Sequence, residues 1–272
     1  MTLKVSASLV LYNSPRAQFE IVIRDFLAAA PHTTLYIADN SPQPLTSACF
    51  DLPGVHYRHM ATNIGFGAAH NVCIRAACAD SDLHLLLNPD IHFSPDVLER
   101  MAAAFEADPA LVVAMPQIRY PDGALQRLCK LLPTPMDLIV RRFLPVRAWR
   151  DRINDRYELS RLPQDRPSEV PTLSGCFMLI RSATLAAMGG FDERFFMYME
   201  DVDLVRRLGL LGAVRYLPDG HVVHEYAKGS YRNRKLLGYH LKSAVRYFNK
   251  WGWFVDGHRR RVNDACLRSI AK

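Results

Sequence analysis

Two periods of hydrophobic residues alternate along the N-terminal third of the chain, and this alternation constrains the fold more than any other feature. Residues 5–11 form a strand-like apolar run, residues 19–30 carry apolar side chains at helical spacing, and residues 34–38 are strand-like again. A strand, a helix and a second strand in succession predict a β-α-β unit with parallel strands. The sequence therefore predicts an α/β fold with a mostly parallel central sheet flanked by helices, and ligands at the carboxyl ends of the strands.

The alternation continues beyond this unit. After a turn at residues 120–123, six prolines among many arginines make residues 131–171 a variable segment, which we expect to be part loop and part short helix over a cleft. Further strands are predicted at 55–59, 83–87, 111–115 and 176–181, and further helices at 68–79, 95–106, 183–188, 200–211 and 235–251.

Positive charge is concentrated at the C-terminus. Residues 228–272 hold 12 of the 34 Lys and Arg residues and only two carboxylates, so this segment carries +10 and the remainder −3. Its cations interleave with Tyr, Phe and Trp, a pattern typical of a bilayer interface with anionic lipid and equally of a packing helix with a solvated basic side. We expect two parts, a main domain over residues 1–230 and a basic, aromatic helical tail over residues 231–272.

Cysteine use and hydropathy bear on the compartment. The six cysteines are scattered with no C-x-x-C pair, and no export signal precedes the first strand-like run. No apolar stretch approaches the roughly 18 residues that a membrane span needs. We therefore expect reduced thiols in a cytoplasmic protein, with peripheral attachment of the tail to the inner face of the cytoplasmic membrane as a hypothesis.

The tripeptide Asn88-Pro89-Asp90 follows a buried strand. Its amide and carboxylate oxygens stand where a parallel sheet opens its cleft, and Mg²⁺ or Mn²⁺ takes one or two such carboxylates together with phosphate oxygens. An Asx-type turn before Ile91 is the simpler interpretation of the tripeptide alone.

Three acids, Glu200, Asp201 and Asp203, open a later helix. The helix dipole stabilises acids at this position, which is the usual structural explanation. A glycine break and an aromatic run lead directly into them, however, and apolar surroundings raise the basicity of a carboxylate, as a general base requires.

A glycine-containing loop runs from Asn63 to Asn71 into a helix, where backbone N–H groups are suited to a phosphate or a ribose. It matches neither G-x-G-x-x-G nor a P-loop, which disfavours dinucleotide and ATP binding. Asp39 closes the second strand and is equally typical of a turn. His224 alternates with apolar residues, as a hydrogen-bonded core histidine also does.

Taken together, these motifs resemble family-two inverting glycosyltransferases of the GT-A (Rossmann-like) fold, and most of all the rhamnosyltransferase branch that builds bacterial surface polysaccharides such as lipopolysaccharide O-antigen and cell wall. The resemblance covers about residues 5–230. The motifs that carry it are Tyr12-Asn13, Ala38-Asp39-Asn40-Ser41, Asn63-x-Gly65-Phe66-Gly67-x-x-x-Asn71, Leu86-Leu87-Asn88-Pro89-Asp90, Ser174-Gly175-Cys176-Phe177-Met178, and Gly190-Phe191-Asp192-Glu193 with Glu200-Asp201-Val202-Asp203-Leu204.

The resemblance implies a donor site. Tyr12 and Asp39 would hold the pyrimidine base, and Asn63 and Asn71 would line the site. The remaining donor-site residues are Asn88 and Asp90: Asp90 would bind the divalent cation, Mg²⁺ or Mn²⁺, that bridges the diphosphate, and Asn88 replaces the first carboxylate of the family's D-x-D pattern, which predicts weak metal binding.

The resemblance also implies a catalytic set. Asp201 matches the catalytic base, and His224, followed by Lys228, Gly229 and Ser230, matches a late histidine that reaches the same metal. The residues expected to orient the acceptor or support the helix turn are Glu200, Asp203 and Gly175.

The implied reaction is transfer of a sugar with inversion, L-rhamnose from dTDP-L-rhamnose, to a hydroxyl of a saccharide or polyprenyl-diphosphate-linked acceptor. A UDP-sugar donor is an alternative within the same class. A non-catalytic sugar-nucleotide binding protein should lack one of Asp90, Asp201 and His224, and all three are present. A nucleic-acid binder would use the basic tail but leave the cleft acids idle, so we expect no nucleic-acid partner.

Overall fold

The computed structural model describes residues 3–29, 33–140, 147–225 and 234–271. Its strands are β1 (Val5–Leu11), β2 (Thr34–Asp39), β3 (Val55–His59), β4 (Leu83–Leu87), β5 (Ile91–Phe93), β6 (Leu111–Arg119), β7 (Ser168–Glu169), β8 (Phe177–Arg181) and β9 (Ala213–His224). Its α-helices are α1 (Arg16–Ala29), α2 (Phe66–Ala77), α3 (Pro95–Ala107), α4 (Arg147–Tyr157), α5 (Ser182–Ala187), α6 (Glu200–Leu208), α7 (Arg234–Trp251) and α8 (Gly257–Ile270).

One sheet runs through the molecule in the order β3-β2-β1-β4-β8-β6-β9-β5, with β7 paired to β9. The β3-β2-β1-β4 half is parallel, and Leu11 of β1 lies beside Asp39 of β2. Every residue of β1 and β4 is buried, as expected for parallel strands covered on both faces by helices. The predicted α/β fold with a mostly parallel, helix-flanked sheet is confirmed.

The other half of the sheet contains the antiparallel pairs that assemble the site. Strand β8 runs antiparallel to β4, and Phe177 at its start lies beside Leu87 at the end of β4. Residues 174–176 therefore lie next to residues 88–90. Strand β9 runs antiparallel to β5, with His224 opposite Ile91, which follows Asp90 in the chain.

The predicted C-terminal helical extension is present as α7 and α8, and it packs on the body of the molecule. Tyr247 and Phe248 of α7 are fully buried in a cluster with Phe195 and Met199. These two aromatic rings therefore belong to the core and not to a lipid-facing belt, which corrects that part of the membrane interpretation of the tail. A boundary near residue 230 stays a prediction.

Several elements differ from expectation, and β7 and the first part of β9 were among the strands not predicted. Helix α6 ends at Leu208 instead of Leu211, because Gly209 and Gly212 follow and the chain turns into β9. Strand β5 was not predicted, since three residues are too few to show a period. Helix α8 was not predicted, because arginines occupy much of its surface and leave a weak apolar stripe.

The variable segment at residues 131–171 contains α4 and β7, so it is part loop and part short helix in the residues described. An isolated bridge between Lys130 and Thr172 closes its base. Residues 141–146 lie outside the described part of the chain.

Candidate active site

Asp39 closes β2 as a fully buried carboxylate. Its Oδ1 accepts a hydrogen bond from the Ser41 N–H at 2.9 Å, and its Oδ2 accepts from the Leu45 N–H at 2.8 Å and the Tyr57 hydroxyl at 2.6 Å. Burial alone raises the pKa of Asp39, but these hydrogen bonds outweigh it and hold the pKa below its ordinary value. A fixed, ionised carboxylate therefore stands at this strand end.

Tyr12 follows β1 at the same edge of the sheet, beside Asp39, and its side chain is 50% exposed. The Asn13 N–H donates to the Ser41 hydroxyl at 2.8 Å, which ties the ends of β1 and β2 together. An exposed aromatic ring beside a fixed carboxylate is suited to a flat heterocycle that stacks and donates a hydrogen bond. Tyr12 and Asp39 thus lie at the ends of neighbouring, paired strands, and their contact with a nucleotide base stays a prediction.

Asp90 and His224 also meet, although 134 positions separate them in the chain. Asp90 Oδ1 lies 3.4 Å from His224 Nε2. Gln126 fixes the imidazole, since its Nε2 donates to the His224 carbonyl oxygen at 2.7 Å and its Oε1 lies 3.0 Å from His224 Nδ1. The amide orientation makes Oε1 an acceptor, so in the neutral ring Nδ1 carries the proton and the unprotonated Nε2 faces Asp90.

Asp201 is the second residue of α6 and is partly buried. Its Oδ2 accepts from the Gly175 N–H at 3.2 Å and its Oδ1 from the Val202 N–H at 2.8 Å. Burial raises the pKa of Asp201, and the opposing effects of these two hydrogen bonds and of Lys130 do not cancel the rise. The result is a positioned carboxylate that is more basic than an exposed aspartate.

The dipeptide Gly175-Cys176 joins the two carboxylate sites. Gly175 donates to Asp201, and the Cys176 carbonyl accepts from the Asn88 N–H at 3.0 Å. Burial raises the pKa of the Cys176 thiol to about 12, and the negative charges of Asp90 and Asp201 both contribute to the rise. The thiol thus lies within electrostatic range of both carboxylates, which places them around one short stretch of chain.

Glu200 and Asp203 occupy different surroundings from Asp201. Glu200 is buried, and burial followed by the charge of Asp201 raises its pKa well above the ordinary value. Asp203 is fully buried and accepts from Arg207 Nε and Trp251 Nε1, both at 2.8 Å. Asp203 therefore anchors α6 to the tail, and a role at the acceptor stays a prediction.

Asn63 and Asn71 shape the loop that enters α2. Asn63 Oδ1 accepts from the Gly65 N–H at 2.9 Å. Asn71 is buried and uses both amide atoms on Phe191, donating to its carbonyl at 2.9 Å and accepting from its N–H at 2.8 Å. Asn71 therefore braces the wall that leads to α6, and direct contact with a donor stays a prediction for both asparagines.

Several residues of this site were not predictable from the sequence. Gln126 gave no signal because it follows an irregular turn, and Lys130, whose charge lowers the pKa of Asp201, lies among other cations of the same segment. Tyr198 and Met199 both have φ of +67°, a conformation that non-glycine residues rarely adopt, directly before α6. Backbone strain of this kind leaves no pattern in a sequence.

A divalent cation fits the Asp90 and His224 pair. Among the described residues, no group of three or more His, Cys, Asp and Glu side chains forms a metal cluster. Asp90 Oδ1 and His224 Nε2 nonetheless lie 3.4 Å apart and could both coordinate one ion, while Gln126 holds the other nitrogen of the histidine. Phosphate oxygens would complete this partial coordination set. Lys228, Gly229 and Ser230, expected after His224, lie outside the described residues.

Comparisons with known proteins identify the family of the chain. The model of the family described as "Glycosyl transferase family 2" matches residues 12–188. The chain therefore belongs to glycosyl transferase family 2. The curated relatives and solved structures described next make it a glycosyltransferase of the rhamnosyltransferase-like type with the GT-A fold.

Two curated relatives make the likeness more specific. The chain is 32% identical over 236 residues to N-acetylglucosaminyl-diphospho-decaprenol L-rhamnosyltransferase of Mycobacterium tuberculosis, which covers 80% of this chain and 75% of that one. It is 28% identical over 228 residues to the rhamnosyltransferase WbbL of Escherichia coli, covering 79% of this chain and 82% of that one.

Solved structures support the fold at low sequence identity. GalNAc-T7 with UDP, GalNAc and Mn²⁺ matches at a TM-score of 0.61 and 14% identity, covering 92% of this chain and 48% of that one, so the chain spans about half of that protein. TarS of Staphylococcus aureus with UDP-GlcNAc matches at 0.60 and 15%, covering 97% and 72%. The mannosyltransferase PcManGT of Pyrobaculum calidifontis with GDP-Man and Mn²⁺ matches at 0.58 and 14%, covering 100% and 76%.

Proposed function

We propose that this glycosyltransferase transfers L-rhamnose with inversion from a dTDP-sugar to a hydroxyl of a saccharide or lipid-linked saccharide acceptor. The observation that carries the proposal is the single short segment, Gly175-Cys176, that binds the Asp201 carboxylate through one residue and the Asn88-Pro89-Asp90 turn through the other. A base and a diphosphate site on either side of one segment are what a single displacement at an anomeric carbon requires.

Asp201 is the proposed general base. The attacking hydroxyl must lose its proton as the new glycosidic bond forms, and a carboxylate of raised pKa is suited to accept it. The N–H groups of Gly175 and Val202 hold the two carboxylate oxygens and leave each a further lone pair for the hydroxyl proton. An added Cβ at position 175 would make a tight contact of 3.3 Å with Phe66 Cε1 and an ordinary one of 3.4 Å with the Asp201 Cβ.

Asp90 and His224 are the proposed holders of a Mg²⁺ or Mn²⁺ ion, with Gln126 orienting the imidazole. Such an ion supplies Lewis-acid neutralisation of the charge that develops on the departing diphosphate. Two structural neighbours were solved with Mn²⁺, which supports the same metal class here. Asn88 in place of a second carboxylate leaves the site with less negative charge, so we expect modest affinity.

The names of the relatives support the donor and acceptor classes. Both curated relatives are rhamnosyltransferases, and the mycobacterial one acts on a diphospho-decaprenol carrier. Tyr12 and Asp39 form the proposed base site, where Asp39 accepts a hydrogen bond from the pyrimidine imide. A UDP-sugar is the second candidate donor, because two structural neighbours hold UDP or a UDP-sugar.

A nucleotide-sugar panel tests the donor. The full chain is screened for thermal stabilisation by dTDP-L-rhamnose, UDP-GlcNAc and GDP-mannose, each with and without Mn²⁺. The proposal predicts the largest shift with dTDP-L-rhamnose and a smaller one when Mn²⁺ is omitted. Greater stabilisation by UDP-GlcNAc would show that the donor is a UDP-sugar and not dTDP-L-rhamnose. Inversion is tested separately by NMR, which compares the anomeric configuration of the product linkage with that of the donor.

We also propose peripheral attachment to the inner face of the cytoplasmic membrane, with the α7-α8 turn as the contact. Phe254 and Val255 in this turn are 85% and 92% exposed, and α8 begins with basic residues. No helix in the described part of the chain is long and apolar enough to span a bilayer.

Flotation with anionic liposomes tests the attachment. The wild-type chain is compared with a Phe254→Ser, Val255→Ser double variant, which leaves the buried rings of α7 in place. Leu210→Ser, at another exposed apolar residue, is the matched control. We expect the double variant alone to lose flotation, and equal flotation of all three proteins would remove the turn from the contact.

A further inference from the structure

A cavity of about 670 Å³ lies between α8, the segment 166–171 and the turn from α6 into β9. It contains none of the residues assigned above to the donor, the metal or the base. Two elements link it to them: α6 carries Asp201 at one end and lines the cavity with Val205 and Arg206 further along, and β9 lines it with its first residues and ends at His224. Its volume falls within the range of small-molecule sites.

Positive charge dominates the wall of the cavity. Arg166, Arg206, His258 and Arg261 line it, whereas Glu169, with a side chain 71% exposed, is the carboxylate among the described lining residues. Asp256 neutralises Arg206 at 2.8 Å, which leaves the other two guanidinium groups as the main source of positive potential. Burial, followed by the charges of Arg206 and Arg261, lowers the pKa of His258, in agreement with such a potential.

Two polar atoms on this wall have no partner among the described residues. They are Nε of Arg206, a residue only 2% exposed, and Nδ1 of His258, and both atoms are buried. Buried polar atoms of this kind normally have a hydrogen-bond partner: the Arg206 Nε–H donates, and His258 Nδ1 donates in the tautomer that carries the proton on it. An anionic or strongly polar oxygen in the cavity would satisfy them.

Apart from Ser168 and Ser269, most of the remaining wall is apolar. Val170, Val205 and Val262 line it, and the small residues Gly209 and Ala265 leave the space open. A purely polar ion would leave this surface in contact with water, and a purely apolar molecule would leave the arginines and the two buried atoms without acceptors. The lining is therefore suited to one anionic group joined to an apolar chain.

We propose that this cavity is a second ligand site that binds an apolar phosphate monoester, with the phosphate at Arg261 and His258 and the chain over Val205 and Val262. The site is separate from the proposed transfer reaction, and its test does not depend on activity.

Calorimetric titration of the full chain with farnesyl phosphate tests the proposal, with farnesol and inorganic phosphate as the two partial ligands. We expect farnesyl phosphate to bind at least about tenfold more tightly than either one, since loss of a charge-assisted contact costs roughly that factor. Dodecyl phosphate separates an isoprenoid preference from a general preference for chain plus phosphate, and binding of both esters supports the proposal.

Three variants locate the ligand. Arg261→Ala removes an exposed cavity cation and Ala265→Phe fills the space from α8, and each should weaken farnesyl phosphate about tenfold or more. Arg260→Ala removes an equally exposed neighbouring charge that does not line the cavity and should leave binding unchanged. The proposal is overturned by the absence of binding, by equal binding of farnesol or inorganic phosphate, or by unchanged affinity in both cavity variants.

Discussion

The buried ion pair between Arg206 and Asp256 should be one of the strongest ties between the tail and the body. Arg206 belongs to α6 and Asp256 caps α8, their side chains are 1% and 3% exposed, and Nη1 lies 2.8 Å from Oδ2. Arg206 Nη1 also donates to the Tyr247 hydroxyl at 3.1 Å, and Asp256 Oδ1 accepts from the Arg259 N–H at 2.9 Å. Asp256 thus compensates a buried cation and caps a helix at the same time.

Asp256→Ala should therefore destabilise the protein severely. Leaving Arg206 buried without its counter-ion costs about 3–5 kcal/mol, and loss of the helix cap costs about 1 kcal/mol more. The sum of about 4–6 kcal/mol compares with a typical total stability of about 5–15 kcal/mol. Burial raises the pKa of Asp256, but its contacts with Arg206 and Arg259 outweigh burial and lower the pKa in the folded protein. The stabilisation by Asp256 is therefore complete above its pKa in the unfolded chain, and it is lost as the pH falls through its pKa in the folded protein.

Denaturant unfolding followed by tryptophan fluorescence measures the effect, because the Trp251 ring lies 4.0 Å from Arg206 Cζ. Asp256→Asn keeps a capping oxygen and should lose less stability than the alanine variant. Asp96→Ala, which breaks an exposed pair with Arg100, is the matched control and should cost no more than about 1 kcal/mol. If Asp256→Ala lowers the free energy of unfolding no more than the control does, the buried pair does not hold the tail to the body.

Three further predictions concern the site itself. Gln126→Leu should weaken Mn²⁺ binding about 10- to 100-fold by releasing the His224 ring, measured by titration with the metal. The raised pKa of Glu200 means that wild type loses stability as the pH rises from 4.5, the pKa in the unfolded chain, toward the higher pKa of the folded protein. Glu200→Gln should not show this loss, so its melting temperature should exceed that of wild type by a growing margin as the pH rises. Gly65→Ala should destabilise by about 1–3 kcal/mol, and by more than Gly123→Ala, because both have positive φ but only the Cβ at 65 meets a carbonyl oxygen, at 2.6 Å.

The fold was largely predictable because the strands and helices of its parallel half have clear hydrophobic patterns in the sequence. Strands such as β1 and β4 are buried on both faces and read as continuous apolar runs between amphipathic helices. Three-residue β5 and arginine-rich α8 carry no comparable period, and only packing within the whole chain defines them.

Several residues of the candidate site were proposed from the sequence, but their contacts were not. Asp39, Asp90 and Asp201 stand at strand or helix ends, where side-chain type and position already indicate a cleft. The hydrogen bond from Gly175 to Asp201 and the clamp of Gln126 on His224 depend on the pairing of β8 with β4 and of β9 with β5, which local patterns do not specify.

The proton-accepting role of Asp201 is tested most directly by single-turnover kinetics of the Asp201→Asn variant alongside its affinity for the donor. This role predicts a fall in the transfer rate of about 10²- to 10⁴-fold, the usual contribution of a general base, with donor binding retained. Full activity of the variant, or loss of donor binding equal to the loss of rate, would contradict it.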